Sequence, residues 1–222
     1  MKYPVTILFD LDGTLLDTIS DLRDSLNIIL KAHNLPCHDT DAVKCFVGNG
    51  LTKLIERAIP NGLLHPEFHR IEAEMRIHYA KHCNEQTAPY RGIIPLLSAL
   101  HEDGCAIGVV SNKPDAQVKA LCKTYFPETV SIAIGQSDTV SPKPAPDSVL
   151  TAMKQLGADA ENTLYIGDSE VDIQTAQNAD IPCISVLWGF RTKDFLIAHG
   201  AQSFAQTPED LLAMIRKADQ LS

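Results

Sequence analysis

Two aspartates one residue apart, Asp10 and Asp12, close a short apolar run at residues 5–9 and are followed by Gly13 and Thr14. Like charge gathered at the mouth of a buried strand is costly unless a cation, a shared proton or a ligand offsets it. A solvated Asp-Gly turn is the plain alternative for this stretch alone. Three further polar sets occur downstream: Ser111, Asn112 and Lys113; Lys143 between Pro142 and Pro144; and Gly167, Asp168 and Asp172. Singly, each has an ordinary reading as a strand-end residue, a stiff exposed loop or an acid-rich helix start. In this order, each after an apolar run, they point to one site.

The elements that must position these residues can be read from periodicity. Apolar runs at 106–111, 131–134, 163–166, 182–187 and 203–204 predict strands, joining the one that ends at Asp10. Between them, 93–103, 116–125, 146–156, 171–178, 193–199 and 209–217 carry helical spacing. Such alternation implies βαβ units and an α/β fold with a doubly wound, mostly parallel sheet, in which ligands bind beyond the carboxyl ends of the strands. Residues 17–86 differ. Ile19, Leu22, Leu26, Ile29 and Leu30 recur at helical spacing, and patches at 41–47, 51–59 and 66–83 follow, with no strand expected among them. Pro66 suits a first helical turn. The reading is a core of residues 1–16 and 88–222 with an α-helical cap domain inserted at 17–87, hinged near 16–18 and 87–91. Gly48-Asn49-Gly50, between two of the cap helices, would bring flexible backbone over the site.

Composition narrows the partners. Among 222 residues, 45% are apolar, and 28 acidic against 19 basic side chains give a net charge of −9. Phosphate-backbone binding needs clustered Lys and Arg, so nucleic acid is not expected. An acidic chain that handles an anion must supply positive charge locally, from a metal ion or a few placed lysines. The six cysteines form no C-x-x-C pair and the eight histidines show no zinc-ligand spacing, which predicts reduced thiols and a cytoplasmic protein. Residues 1–4 run straight into the first strand, so no signal peptide is expected. No apolar stretch approaches the roughly 18–20 residues of a membrane span.

The motifs Asp10-Leu11-Asp12-Gly13-Thr14, Ser111, Lys143 and Gly167-Asp168 through Asp172 resemble those of the haloacid-dehalogenase-like phosphohydrolase superfamily, over essentially the whole chain. Phe46-Val47-Gly48-Asn49-Gly50-Leu51 and Val110-Ser111-Asn112-Lys113-Pro114 are similar to phosphoglycolate phosphatases within it. Arg91 departs from the pattern, standing where relatives usually carry proline, and touches only the hinge. The resemblance implies a Rossmann-like core and a Mg2+ ion held by the Asp10 and Asp168 carboxylates and the Asp12 carbonyl, with Asp172 on the metal's water or behind it. It implies Asp10 as nucleophile, forming an aspartyl-phosphate, and Asp12 as acid and then base. Ser111 and Lys143 would bind the transferring phosphoryl oxygens. Gly13, Thr14, Asn112, Lys113, Gly48, Asn49 and Gly50 would line the substrate, with Lys113, Arg91 and Arg191 as candidates for a substrate carboxylate.

The charges fit such a scheme. Four carboxylates and one lysine would repel a phosphate monoester that is itself about doubly charged, and a divalent cation with oxygen ligands relieves the conflict. The expected activity is hydrolysis of a small phosphorylated metabolite, 2-phosphoglycolate first among candidates, by a monomer or homodimer. A sugar phosphomutase or pyrophosphatase of the same superfamily is the alternative. Dehalogenation needs neither an acid at Asp12 nor Mg2+, and phosphonate hydrolysis in the family lacks an aspartate at that position. A phosphate-responsive regulatory protein, built like receiver domains, is the reading from another class. The inserted cap and Asp12 favour turnover.

Overall fold

The computed structural model describes residues 6–217. Val5, read with the first strand, and residues 1–4, read as leading into it, lie outside the described residues. The chain starts with β1 (Thr6–Phe9) and a two-residue β2 (Leu16–Asp17), then runs through four helices, α1 (Ile19–Ala32), α2 (Thr40–Phe46), α3 (Gly50–Ala58) and α4 (Phe68–His82), to β3 (Ala88–Pro89). Helices and strands alternate from there: α5 (Ile93–Glu102), β4 (Ala106–Pro114), α6 (Asp115–Tyr125), β5 (Ile132–Gln136), α7 (Asp147–Leu156), β6 (Thr163–Gly167), α8 (Glu170–Asn178), β7 (Cys183–Val186), α9 (Lys193–Ala198), β8 (Phe204–Ala205) and α10 (Pro208–Lys217).

Six strands form one parallel sheet in the order β5-β4-β1-β6-β7-β8. All four residues of β1 are buried, as a central strand covered on both faces requires. Ile7 and Phe9 enter a core shared with α5, α6 and α10, whereas Leu8 enters one shared with α7 and α8. Phe9 pairs with Val109 on one side and Ile166 on the other. Asp10 and Asp168 therefore follow neighbouring strand ends, while β4 runs on through Ser111, Asn112 and Lys113 to Pro114, and these polar sets meet at one edge of the sheet.

Helices α1–α4 carry a separate apolar core, including Leu26, Leu30, Val43, Ile55, Met75 and Tyr79. They return to the sheet through an antiparallel ribbon pairing Leu16 with Pro89 and Asp17 with Ala88. Asp17 was expected in an all-helical segment and lies instead in this ribbon, because two-residue strands have no periodicity to read. Buried Asp21 secures the return: its carboxylate accepts from the N–H groups of Glu85, Gln86 and Thr87 and from the Thr87 hydroxyl. Helix α4 starts at Phe68 with Glu67 at its N-cap, so Pro66 falls in the turn before the helix rather than in its first turn.

Candidate active site

Asp10 leaves β1 and Asp168 leaves β6, while Asp172 sits in the first turn of α8, one turn beyond Asp168. All three are buried, and one carboxylate oxygen of each lies within 4.8 Å of the others. The tight turn after Asp10 makes the approach possible. The Leu11 carbonyl accepts from the N–H groups of Thr14, Leu15 and Leu16, and Gly13 has φ of +87°. A Cβ at Gly13 would stand 2.5 Å from Asp168 Oδ2, so only glycine fits.

Three of the six oxygens of these carboxylates are held firmly. Asp172 Oδ2 accepts from the backbone N–H of Ser169 at 3.0 Å and from its hydroxyl at 2.6 Å, closing a capping box on α8. Asp172 Oδ1 accepts from Lys143 Nζ at 2.7 Å and the Tyr165 hydroxyl at 3.1 Å. Asp168 Oδ2 accepts from the Phe190 N–H at 2.7 Å, and Oδ1 accepts a longer bond, 3.3 Å, from the Thr14 hydroxyl. Asp10 Oδ1 differs: it is buried, has Lys143 Nζ 2.9 Å away as an ion pair, and receives no aligned hydrogen bond.

The electrostatics follow from crowding out of water. Burial pushes Asp10 up to about 7, with Lys143 pulling the other way and Asp172 and Asp12 adding to the rise. Asp168 is raised well above the usual carboxylate range, by burial first and then by Asp172 and Asp10. Burial opposes the charge on Lys143, but Asp10 and Asp172 outweigh it and its pKa is raised. Buried hard oxygen donors, one of them without a hydrogen bond, suit a small divalent cation, so Asp10, Asp168 and Asp172 could hold a metal.

The other expected residues divide. Ser111 and Lys113, from β4, line a cleft between the sheet and the helical insertion, as do Asp12, Gly48 and Gly50. The cleft encloses about 570 Å3, its open mouth included. Lys113 Nζ donates to Asp12 Oδ1 at 2.9 Å and to the Tyr79 hydroxyl, so its charge is engaged within the protein rather than free for a substrate carboxylate. Asn112 braces the backbone: its amide donates to the Gly48 carbonyl at 3.0 Å and the Lys143 carbonyl at 2.8 Å, and its oxygen accepts from the Lys143 N–H. Asn112 also lines the cleft.

Four more of the expected residues are placed as follows. Thr14 is wholly buried and outside the cleft lining, and its hydroxyl orients Asp168. Asn49 accepts from Arg57 Nη2 at 2.7 Å and does not line the cleft. Arg91 is exposed, away from the cleft lining, and acts on Glu209. Arg191 does reach the cleft, but it pairs with Glu170 at 3.0 Å and donates to the Lys44 and Val47 carbonyls of the insertion. Sequence reasoning missed Tyr79, whose spacing with Ile71 and Met75 reads only as the apolar stripe of α4. It also missed the Ser169 cap, although Ser-x-x-Asp at the start of a helically spaced stretch was there to be read.

A parallel α/β sheet thus carries an acidic, lysine-balanced site at its carboxyl edge, beside the helical insertion. Residues 7–186 match the haloacid dehalogenase-like hydrolase family. The chain is 31% identical over 214 residues to N-acetylmuramic acid 6-phosphate phosphatase of Pseudomonas aeruginosa, spanning 96% of this chain and 95% of that protein. It is 35% identical over 194 residues to a phosphoglycolate phosphatase of Mesorhizobium japonicum, spanning 86% and 85%. A crystal structure from Lactobacillus delbrueckii subsp. bulgaricus, of a protein assigned by inference as a phosphoglycolate phosphatase, superposes with a TM-score of 0.93 at 35% identity, covering 97% of this chain and 99% of that one. The chain belongs to the haloacid dehalogenase-like hydrolase family, as one of its phosphatases.

Proposed function

We propose that this protein is a Mg2+-dependent phosphatase that hydrolyses a small phosphate monoester, with 2-phosphoglycolate the leading substrate, through an aspartyl-phosphate on Asp10. The observation that carries this reading is Asp10 Oδ1, a buried carboxylate oxygen with no hydrogen bond at the floor of the cleft, beside Lys143 and the two other aspartates. Asp10 and Asp168 would hold the cation directly, with the Asp12 carbonyl, and Asp172 would orient its water. When bound, the ion supplies positive charge against the phosphoryl oxygens.

The protein's own groups account for the rest. An Asp10 oxygen forms the bond to phosphorus as the bond to the leaving oxygen breaks, while Asp12 gives that oxygen a proton. Asp12 then takes a proton from the water that attacks phosphorus and restores Asp10. Lys143 and the Ser111 hydroxyl bind the phosphoryl oxygens. Residues 17–87 serve as a cap that excludes water and faces the leaving group with Leu22, Leu51 and Leu54. Among the described residues no helix is long and apolar enough to cross a membrane, and all six cysteines are free, which supports a cytoplasmic site of action.

The names of the relatives favour phosphoglycolate, and the Pseudomonas aeruginosa relative favours a sugar phosphate as the second reading. A panel of phosphoglycolate, N-acetylmuramic acid 6-phosphate, hexose 6-phosphates and pyrophosphate, ranked by kcat/KM with and without a chelator, tests both parts. We expect phosphoglycolate first and no turnover after chelation until Mg2+ is returned. Phosphoglycolate ranking far below a sugar phosphate contradicts the substrate, and turnover that survives chelation contradicts the metal.

A further inference from the structure

Tyr79 sits on the apolar stripe of α4, where phenylalanine would meet every demand of packing, yet it carries its hydroxyl across the cleft into the site. It is wholly buried, and a buried hydroxyl needs a partner. That partner is Lys113 Nζ, which also lies 4.7 Å from the Tyr79 ring centroid. The same Nζ donates to Asp12 Oδ1 at 2.9 Å. Only 2% of the Lys113 side chain is exposed, so water does little for its charge and these two contacts fix where the ammonium sits. Tyr79 comes from the insertion, whereas Lys113 and Asp12 come from the sheet. The chain of contacts therefore forms only with the insertion seated on the sheet.

We infer that Tyr79 is a positioning residue for proton transfer: through Lys113 it sets the Asp12 carboxyl toward the leaving oxygen, so that closure of the insertion and readiness of the acid are one event. This rests on the reading of Asp12 as the acid. A leaving group that must be protonated depends on that alignment, whereas p-nitrophenolate departs without a proton. The loss on removing the Tyr79 hydroxyl is therefore selective for alkyl phosphates.

The test compares kcat/KM, which covers the steps up to formation of the phosphoenzyme, for p-nitrophenyl phosphate and for the fastest alkyl phosphate of the panel above. Tyr79→Phe keeps the ring and is expected to slow the alkyl phosphate roughly tenfold, the value of a hydrogen bond to a charged group, and the aryl phosphate by less than about twofold. Lys113→Met shows the same selectivity, and adding Tyr79→Phe to it slows the reaction no further. Equal losses on both substrates, or losses that multiply in the double variant, overturn the inference. Asp12→Asn is the reference. If it is selective and Tyr79→Phe is not, the inference fails alone; if Asp12→Asn slows both substrates equally, the reading of Asp12 fails and takes the inference with it.

Discussion

Two lysines, Lys143 and Lys113, are buried to the same degree, and each is bound to a carboxylate and a tyrosine hydroxyl. They nevertheless belong to different kinds of structure. The partners given for the Lys143 ammonium come from the sheet and the helix behind it: Asp10, Asp172 and Tyr165. Lys113 is shared, with Asp12 on the sheet side and Tyr79 on the insertion. The comparison shows how the work is divided. On the proposed reading, the phosphoryl end of a substrate would meet a floor built by the sheet and α8, and the leaving-group end a wall made by two parts of the chain.

Breaking the floor has the largest expected effect. Lys143→Met leaves Asp10 and Asp172 without their cation. Removing one partner of a buried pair costs about 3–5 kcal/mol of stability, and losing a preorganised donor costs roughly 10²–10³ in kcat. Urea unfolding and steady-state kinetics read both, and unchanged stability would show that Lys143 does not balance the floor. The smaller effect comes from the clamp between the parts. Arg191→Ala removes the bonds to the Lys44 and Val47 carbonyls. It is expected to cost roughly 1–3 kcal/mol, seen as a raised KM for alkyl and aryl phosphates alike. A loss confined to alkyl phosphates would move Arg191 from the clamp into the proton-handling chain and blur the distinction drawn from the two lysines.

The floor was the legible part of the sequence. Asp10 and Asp168 follow strand ends and Asp172 stands in the first turn of a helix, with Lys143 in the loop between β5 and α7, and a parallel sheet must bring strand ends to one edge. The strands and helices of the core were readable for the same reason, since burial imposes period on both. The wall was much less legible. The Tyr79 spacing satisfies packing, so nothing local marks its hydroxyl as part of the site. The bond from Tyr79 to Lys113 spans 34 residues, and those from Arg191 to the insertion span 144 or more. Pairings at that distance depend on how the helices lie, which no local pattern encodes. Asn49 illustrates the converse: a loop residue beside two glycines that line the cleft, turned aside by Arg57 eight positions away.

The proposed attack of Asp10 on phosphorus is tested most directly by trapping the phosphorylated protein. The wild-type enzyme, mixed with a labelled substrate in the presence of Mg2+ and quenched in acid during turnover, is expected to carry one phosphoryl group on the peptide that contains Asp10. The Asp10→Asn protein should neither carry it nor turn over. Turnover without any trapped label, or label that persists in the Asp10→Asn protein, would contradict the account.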